Sequence, residues 1–174
     1  MYCFRLQNTI PGIKPGVSVD VEVYDRPVKL ESVQSRVVEE RISQGNKIFV
    51  ANYQSKPIAY IFVTKTSCWV DEIADKLQLG SNEVYLYDAY TNSEYRGNRI
   101  YPYLISNVAR FYKERDYSCA LIFTTSSNNR SIRGIQRAGF VCYQVIDFYN
   151  FGGLSIWNFK SRSRIVKSRF SCEN

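Results

Sequence analysis

In the segment VSVDVEVY the valines at 17, 19, 21 and 23 alternate with polar residues, the period-two pattern of a strand with one buried face. A short N-terminal strand and a Pro/Gly loop, IPGIKPG, precede it. LESVQSRVVEERISQG instead places Leu30, Val33, Val37 and Ile42 at near-helical spacing and stops at Gly45, which predicts a helix of about three turns. KIFVANY and PIAYIFVTK read as the two strands of an antiparallel hairpin joined by QSK. DEIADKLQLG is compatible with a short helix. NEVYLYDAY returns to alternation, with Val84, Leu86, Asp88 and Tyr90 on one face and Tyr85, Tyr87 and Ala89 on the other.

Ile100, Leu104, Val108 and Phe111 then form one helical stripe, and Pro102 is tolerable only in a first turn, so this helix begins close to Asn98 or Arg99. CALIFTT is a continuous apolar run, as expected of a strand covered on both faces. Strand, helix and buried strand make one βαβ unit. SSNNRSIRGIQRAGF repeats the arrangement in shorter form: Ser127 or Asn128 caps, Ile132 and Ile135 point inward and Gly139 terminates. Two strands, FVCYQVIDFYNF and GLSIWNFK, close the chain. The expected fold class is α/β, a mixed and mostly antiparallel sheet of about seven strands flanked by about four helices.

The composition is that of one globular unit: 174 residues, 45% hydrophobic and 15% aromatic, are enough for a real core. The expected division is a single domain over residues 1–159 and a basic tail over 160–174. The tail holds five of the Lys and Arg residues against Glu173, so +4 of the net +7 lies there. Nucleic-acid binding through that tail is an alternative that the charge of the body does not force. No apolar run approaches the roughly 20 residues of a membrane helix, and the N-terminus lacks the apolar core of a signal peptide, which points to a soluble, cytoplasmic protein. Five cysteines without a C-x-x-C pair read as reduced, packed thiols. The chain has no histidine, which removes Ser-His-Asp and Cys-His catalysis and the usual zinc and iron sites. No metal is expected, and any chemistry must rest on carboxylates, tyrosines, hydroxyls, thiols or backbone groups.

The segment EYRGNRIYPYLI places Arg96, Gly97, Asn98 and Arg99 where a strand hands over to a helix. A helix N-terminus exposes unpaired N–H groups and about half a positive charge, and a glycine lets an anion approach the backbone. A phosphate cradle and a solvated basic turn are both compatible with it. The spacing matches neither a P-loop nor a dinucleotide fingerprint.

With NNRSIRGIQRAGF about thirty residues further on, this segment resembles the acyl-CoA-binding motif of the GNAT superfamily of N-acyltransferases, Q/R-x-x-G-x-G/A, and its later segment ending in Gly-Phe. The resemblance extends over nearly the whole order of elements. It implies that acetyl-CoA, or another acyl-CoA, wedges between the fourth and fifth strands. The pyrophosphate would rest on the backbone of Arg96, Gly97, Asn98, Arg99, Ile100 and Tyr101. A strand N–H near Tyr90, Thr91 or Asn92 would polarise the thioester carbonyl and hold the oxyanion. Asn128 would contact the pantetheine arm or cap its helix, with Ser131 beside it. The acceptor amine attacks directly, so the protein supplies positioning and electrostatics.

Two departures from the family pattern stand out. Arg99 and Tyr101 occupy positions usually held by glycine or alanine. Ile135 stands where many members place a tyrosine that protonates the departing thiolate, which leaves Tyr143, Tyr149 or water for that task. Asp88 is the candidate general base, with Glu72 and Asp147 behind it, or else a strand aspartate bonded to backbone. The pattern is similar to bacterial small-molecule members, so the expected partners are acyl-CoA and a small primary amine, in a monomer or a homodimer. The alternative is a CoA-binding module of the same fold without efficient turnover.

Overall fold

The computed structural model describes residues 1–161. Its centre is a seven-stranded sheet in the order β2-β3-β4-β7-β8-β1-β9. These strands are β1 (Tyr2–Arg5), β2 (Asp20–Tyr24), β3 (Lys47–Tyr53), β4 (Lys56–Thr64), β7 (Glu83–Thr91), β8 (Cys119–Ile122) and β9 (Val141–Cys142). Every neighbouring pair is antiparallel except β7 and β8. Two small hairpins stand apart from it, β5 (Cys68–Val70) with β6 (Asp75–Leu77), and β10 (Gln144–Phe151) with β11 (Leu154–Ser161).

Three α-helices are present among the described residues: α1 (Ser35–Ser43), α2 (Ile100–Lys113) and α3 (Asn129–Arg137). The fourth expected helix is absent. DEIADKLQLG forms one 3-10 turn, Asp71–Ile73, and then β6, after Ala74 enters the left-handed region. Ile73 and Leu77 have helical spacing, but a helix of that length is marginal alone, and pairing with Cys68–Val70 wins. The β3–β4 turn is also tighter than QSK. Gln54 and Ser55 both take positive φ, as the twist of a two-residue hairpin turn demands, and Lys56 already belongs to β4.

The sheet separates two apolar layers. On one face Val84, Leu86, Ala120 and Ile122 pack against Leu104, Ile105 and Val108 of α2 and Ile135 of α3. On the other, Tyr85 and Leu121 pack against Val70, Ile73 and Leu77 of the first hairpin, while Ile48, Val50 and Phe62 meet Val38 of α1. Fully burying each such side chain contributes about 1.5–3 kcal/mol, so the position of α2 over β7 and β8 is firmly held.

The chain's N-terminal strand does not lie beside the second. It fills the slot between β8 and β9, with Tyr2 opposite both Ile122 and Cys142. Phe148 and Trp157 of the last hairpin pack together with rings 5.5 Å apart, and the Trp157 indole N–H donates to the carbonyl of Ile73. Trp157 is thus structural. The predicted domain end falls within β11, and the rest of the basic tail, from residue 162, lies outside the described residues.

Candidate active site

The site begins where the parallel pair ends. The β7–β8 register runs from Glu83 with Cys119 to Leu86 with Ile122, but β7 continues to Thr91 while β8 stops. A wedge opens between them, and the N-terminus of α2 follows β7 within a short turn. The cleft there encloses about 950 Å³ and is lined from both layers of the protein. Arg96, Arg99 and three side chains of α3, Arg130, Arg133 and Arg137, line it from the helical layer. Glu72 and Tyr87 line it from the other, and Asp88 lies on the strand between.

The turn into α2 leaves backbone N–H groups without an intramolecular acceptor among the described residues. Gly97 has φ +86° with nothing within 4 Å of where a Cβ would stand, and Arg99 takes the left-handed region at φ 59°. Holding an arginine there costs about 1 kcal/mol, which the α2 anchor sustains. Among the described residues no acceptor takes the N–H groups of Gly97, Asn98 or Arg99, and Tyr103 N–H to Arg99 O begins the helical bonding. Five arginines and these N–H groups fit the phosphates of a CoA, since no arginine of the five forms an ion pair among the described residues.

The remaining loop residue is turned outward. Asn98 braces the loop: its carbonyl accepts from Gly16 N–H at 2.7 Å and its side-chain amide donates to Tyr95 O. It does not line the cleft, and neither does Asn92, whose side chain caps the 3-10 turn Ser93–Tyr95. Ile100 lines the cleft although it is also a buried core residue.

The strand N–H expected near Tyr90, Thr91 or Asn92 resolves to one residue. Asn92 N–H donates to Ile58 O at 2.8 Å. Alternation along an antiparallel pair sends Tyr90 N–H toward β4 as well, so Thr91 N–H faces the wedge. The Thr91 carbonyl, on the same side, accepts from Arg96 Nε at 3.0 Å.

Asp88 sits in a bulge. Only Ile61 separates the partners of Tyr90 and Tyr87 on β4, so Asp88 and Ala89 together oppose one residue, and Asp88 takes φ 43°. The bulge breaks the alternation read from the sequence. Tyr90 joins Tyr87 on the face of Tyr60, with the Tyr60 and Tyr90 rings stacked at 5.7 Å, and no longer shares a face with Leu86. The Asp88 carboxylate, 38% exposed, pairs with the Arg41 guanidinium of α1, which itself lies 4.5 Å over the Phe62 ring and 5.2 Å from that of Tyr87. It is therefore a paired, positioned carboxylate and not a backbone-bonded one.

Tyr143 is placed elsewhere. It is 1% exposed, packed in the cluster of Met1, Cys3 and Leu121, and does not line the cleft. Tyr149 is on the outer face of the last hairpin, and Asp147 pairs with Lys160. Ile135 is buried in the helical-layer core and likewise turned from the cleft.

The tyrosine that does reach the cleft from α2 is Tyr101. Its hydroxyl shares a 3.1 Å hydrogen bond with Ser131 Oγ, and burial pushes its phenol up to about 12. Gly134 makes the room, since a Cβ there would stand 2.6 Å from the Tyr101 ring. Asn128 caps α3 by accepting from Ser131 N–H and also lines the cleft. The sequence reading missed Arg130, Arg133 and Arg137. Their spacing of three and four residues on a capped helix was the available signal.

The comparisons with known proteins agree with this geometry. No curated protein matches the chain. Among solved structures it is similar to an aminoglycoside acetyltransferase, meta-AAC0020, from an uncultured soil metagenomic sample, in complex with sisomicin, at 13% identity and TM-score 0.56, over 76% of this chain and 95% of that one. It is similar to AAC(6')-Iy in complex with the bisubstrate analogue CoA-S-monomethyl-acetylneamine, at 16% identity and TM-score 0.58, over 77% and 98%. Ribosomal-protein-alanine N-acetyltransferase from Brucella melitensis biovar Abortus 2308 shares 12% identity and a TM-score of 0.54, over 78% and 100%. These likenesses establish the fold. The family model of the acetyltransferase (GNAT) family matches residues 20–140, from β2 through α3, and the chain belongs to that family.

Proposed function

We propose that the protein transfers an acetyl group from acetyl-CoA to the primary amine of a small molecule. The observation that carries this is one cleft, open through the sheet at the β7–β8 wedge, with five arginines in its helical layer and Asp88 and Glu72 toward the other. A polyanionic donor and a cationic acceptor are drawn to opposite ends.

In this reading the N–H groups of the Gly97–Arg99 turn and the arginines of α3 hold the donor's phosphates, and Thr91 N–H donates to the thioester oxygen as charge develops there. The amine nitrogen forms a bond to the acyl carbon, the C–S bond breaks, the amine loses a proton and the sulfur leaves as thiolate, to be released as CoA thiol. Asp88, held by Arg41, receives the amine's proton; Glu72 adds negative potential at that end. Tyr101 takes the place that Ile135 leaves empty. Its phenol, raised to about 12 by burial, stays neutral and serves the departing sulfur as a hydrogen-bond donor, not as a base.

A second reading, a CoA-binding module without efficient turnover, draws on the burial of Ile135 where many relatives carry a tyrosine. Acetyl-CoA-dependent thiol release across a panel of amines separates the two. Release only when an amine is present supports transfer, and binding without release supports the module.

A further inference from the structure

On the sheet face opposite α2, a second cavity of about 430 Å³ lies between α1 and the β5–β6 hairpin. It is lined by Glu40 and Arg41 of α1, by Gln44 at its C-terminal cap, by Asn46, by Thr64, Thr66, Ser67 and Cys68, and by Trp69 and Tyr87. Its size falls within the range of about 300–1,000 Å³ typical of small-molecule sites. Tyr87 lines both cavities, and Arg41 in this one is bonded to Asp88 in the other. That ring and that ion pair link the second cavity to the wedge.

We infer that this cavity is the acceptor site, and that the acceptor is a polyhydroxylated amine, an amino sugar, whose ring lies on Trp69 with its amine directed toward Asp88. The inference rests on the transfer reading above and deepens it. Trp69 is 60% exposed, the most exposed aromatic side chain among the described residues outside the last hairpin, and it lines the cavity with a large apolar surface left open to solvent. An indole face takes the C–H face of a sugar ring. Beside Glu40 and Arg41 the lining carries uncharged hydrogen-bonding groups: Gln44, Asn46, Thr64, Thr66 and Ser67 offer donors and acceptors, which is what ring hydroxyls require.

Asn46 carries the second observation. It is 5% exposed, its amide N–H₂ donates to the Tyr87 hydroxyl at 3.0 Å, and its amide oxygen is buried with no hydrogen-bond partner among the described residues. Such an acceptor is costly unless something donates to it.

Charge argues against the competing acceptor class. An amino acid would need a cation for its carboxylate, and the cation in the lining, Arg41, is already held by Asp88, with Glu40 on the same helix adding negative charge. An uncharged polyol with one ammonium group meets no such conflict.

The test uses acetyl-CoA-saturated protein with three aminohexoses, bearing the amine at carbon 2, 3 or 6, and with cyclohexylamine and L-alanine as controls. Binding is read by ligand-observed NMR and transfer by thiol release. At least one aminohexose should bind, and Trp69→Ala should weaken it tenfold or more while acetyl-CoA affinity, which certifies the fold, is unchanged. Trp69-dependent binding of an aminohexose without thiol release upholds the sugar site and refutes transfer. Thiol release with cyclohexylamine or alanine, but no Trp69-dependent binding of any aminohexose, overturns the amino-sugar inference and leaves transfer standing. If no aminohexose binds at all, the inference is overturned.

Discussion

In the proposed reading the donor meets two short stretches of chain, the turn at Arg96–Tyr101 and helix α3, whereas the acceptor meets Arg41, Asn46, Trp69, Glu72, Tyr87 and Asp88, which line the cleft or the second cavity and come from α1, the residue before β3, the first hairpin and the end of β7. One end is a local motif presented by helix termini, and the other is a product of tertiary packing. The chemistry explains the difference. Phosphates can be bound by backbone N–H groups that any sequence supplies, so local geometry suffices. Choosing one amine over another needs side chains at several angles, which only separate elements converging on one cavity provide.

If the two ends are as independent as their construction implies, substitutions should separate them. The largest effect is expected at Gly97. Gly97→Asp adds a carboxylate where phosphate belongs, in a backbone conformation that costs an aspartate about 1 kcal/mol, so acetyl-CoA affinity should fall a hundredfold or more by titration calorimetry while the fold and acceptor binding persist. Next, Asp88→Asn should lower kcat by about 10²-fold with acetyl-CoA affinity unchanged. A matching loss of acetyl-CoA affinity would show that the two ends are not independent. Arg133→Ala should cost roughly tenfold in acetyl-CoA affinity and reduce its salt dependence, the effect of one charge-assisted contact of about 1.5 kcal/mol.

Gly134→Ala sharpens the role of Tyr101. The added methyl meets the ring at 2.6 Å, so thermal unfolding should show a loss of about 1–3 kcal/mol, and pairing it with Tyr101→Ala should relieve part of it. The last effect is confined to alkaline pH. Burial raises the Cys68 thiol from 9.0 to about 12, and the Tyr87 and Tyr101 phenols from 10.0 to about 12. The folded state therefore keeps these protons longer than the unfolded chain, and their contribution to stability is complete below pH 9 and lost as pH rises toward 12. Unfolding midpoints should decline across that window, and Cys68→Ala should make the decline shallower.

What the sequence revealed follows the same division. The β3–β4 hairpin, the apolar run of β8 and the stripe of α2 are patterns within one element, and each is present in the structure; the valine alternation is kept only in part, since β2 begins at Asp20, Val17 and Val19 precede it, and Val23 is 37% exposed. The loop at Arg96–Arg99 was legible for the same reason. The sequence does not show that β1 inserts between β8 and β9, because an edge slot is filled by whichever strand reaches it. Nor does it show the bulge at Asp88, since a residue is displaced from its face by pairing with β4 and not by its own preference. Tyr143 illustrates the cost of that blindness. Next to Gly-Phe in sequence it looks catalytic, yet β9 carries it into the core, while Tyr101 reaches the cleft because Gly134 stands a helix away.

The central claim is that the wedge and the arginine turn form an acyl-CoA site. Thermal unfolding of the wild-type protein with and without acetyl-CoA tests it most directly. At a hundred times its dissociation constant the ligand should stabilise by about 2.7 kcal/mol, raising the midpoint by roughly 5–10 °C in a protein of this size. An unchanged midpoint at millimolar acetyl-CoA would contradict it.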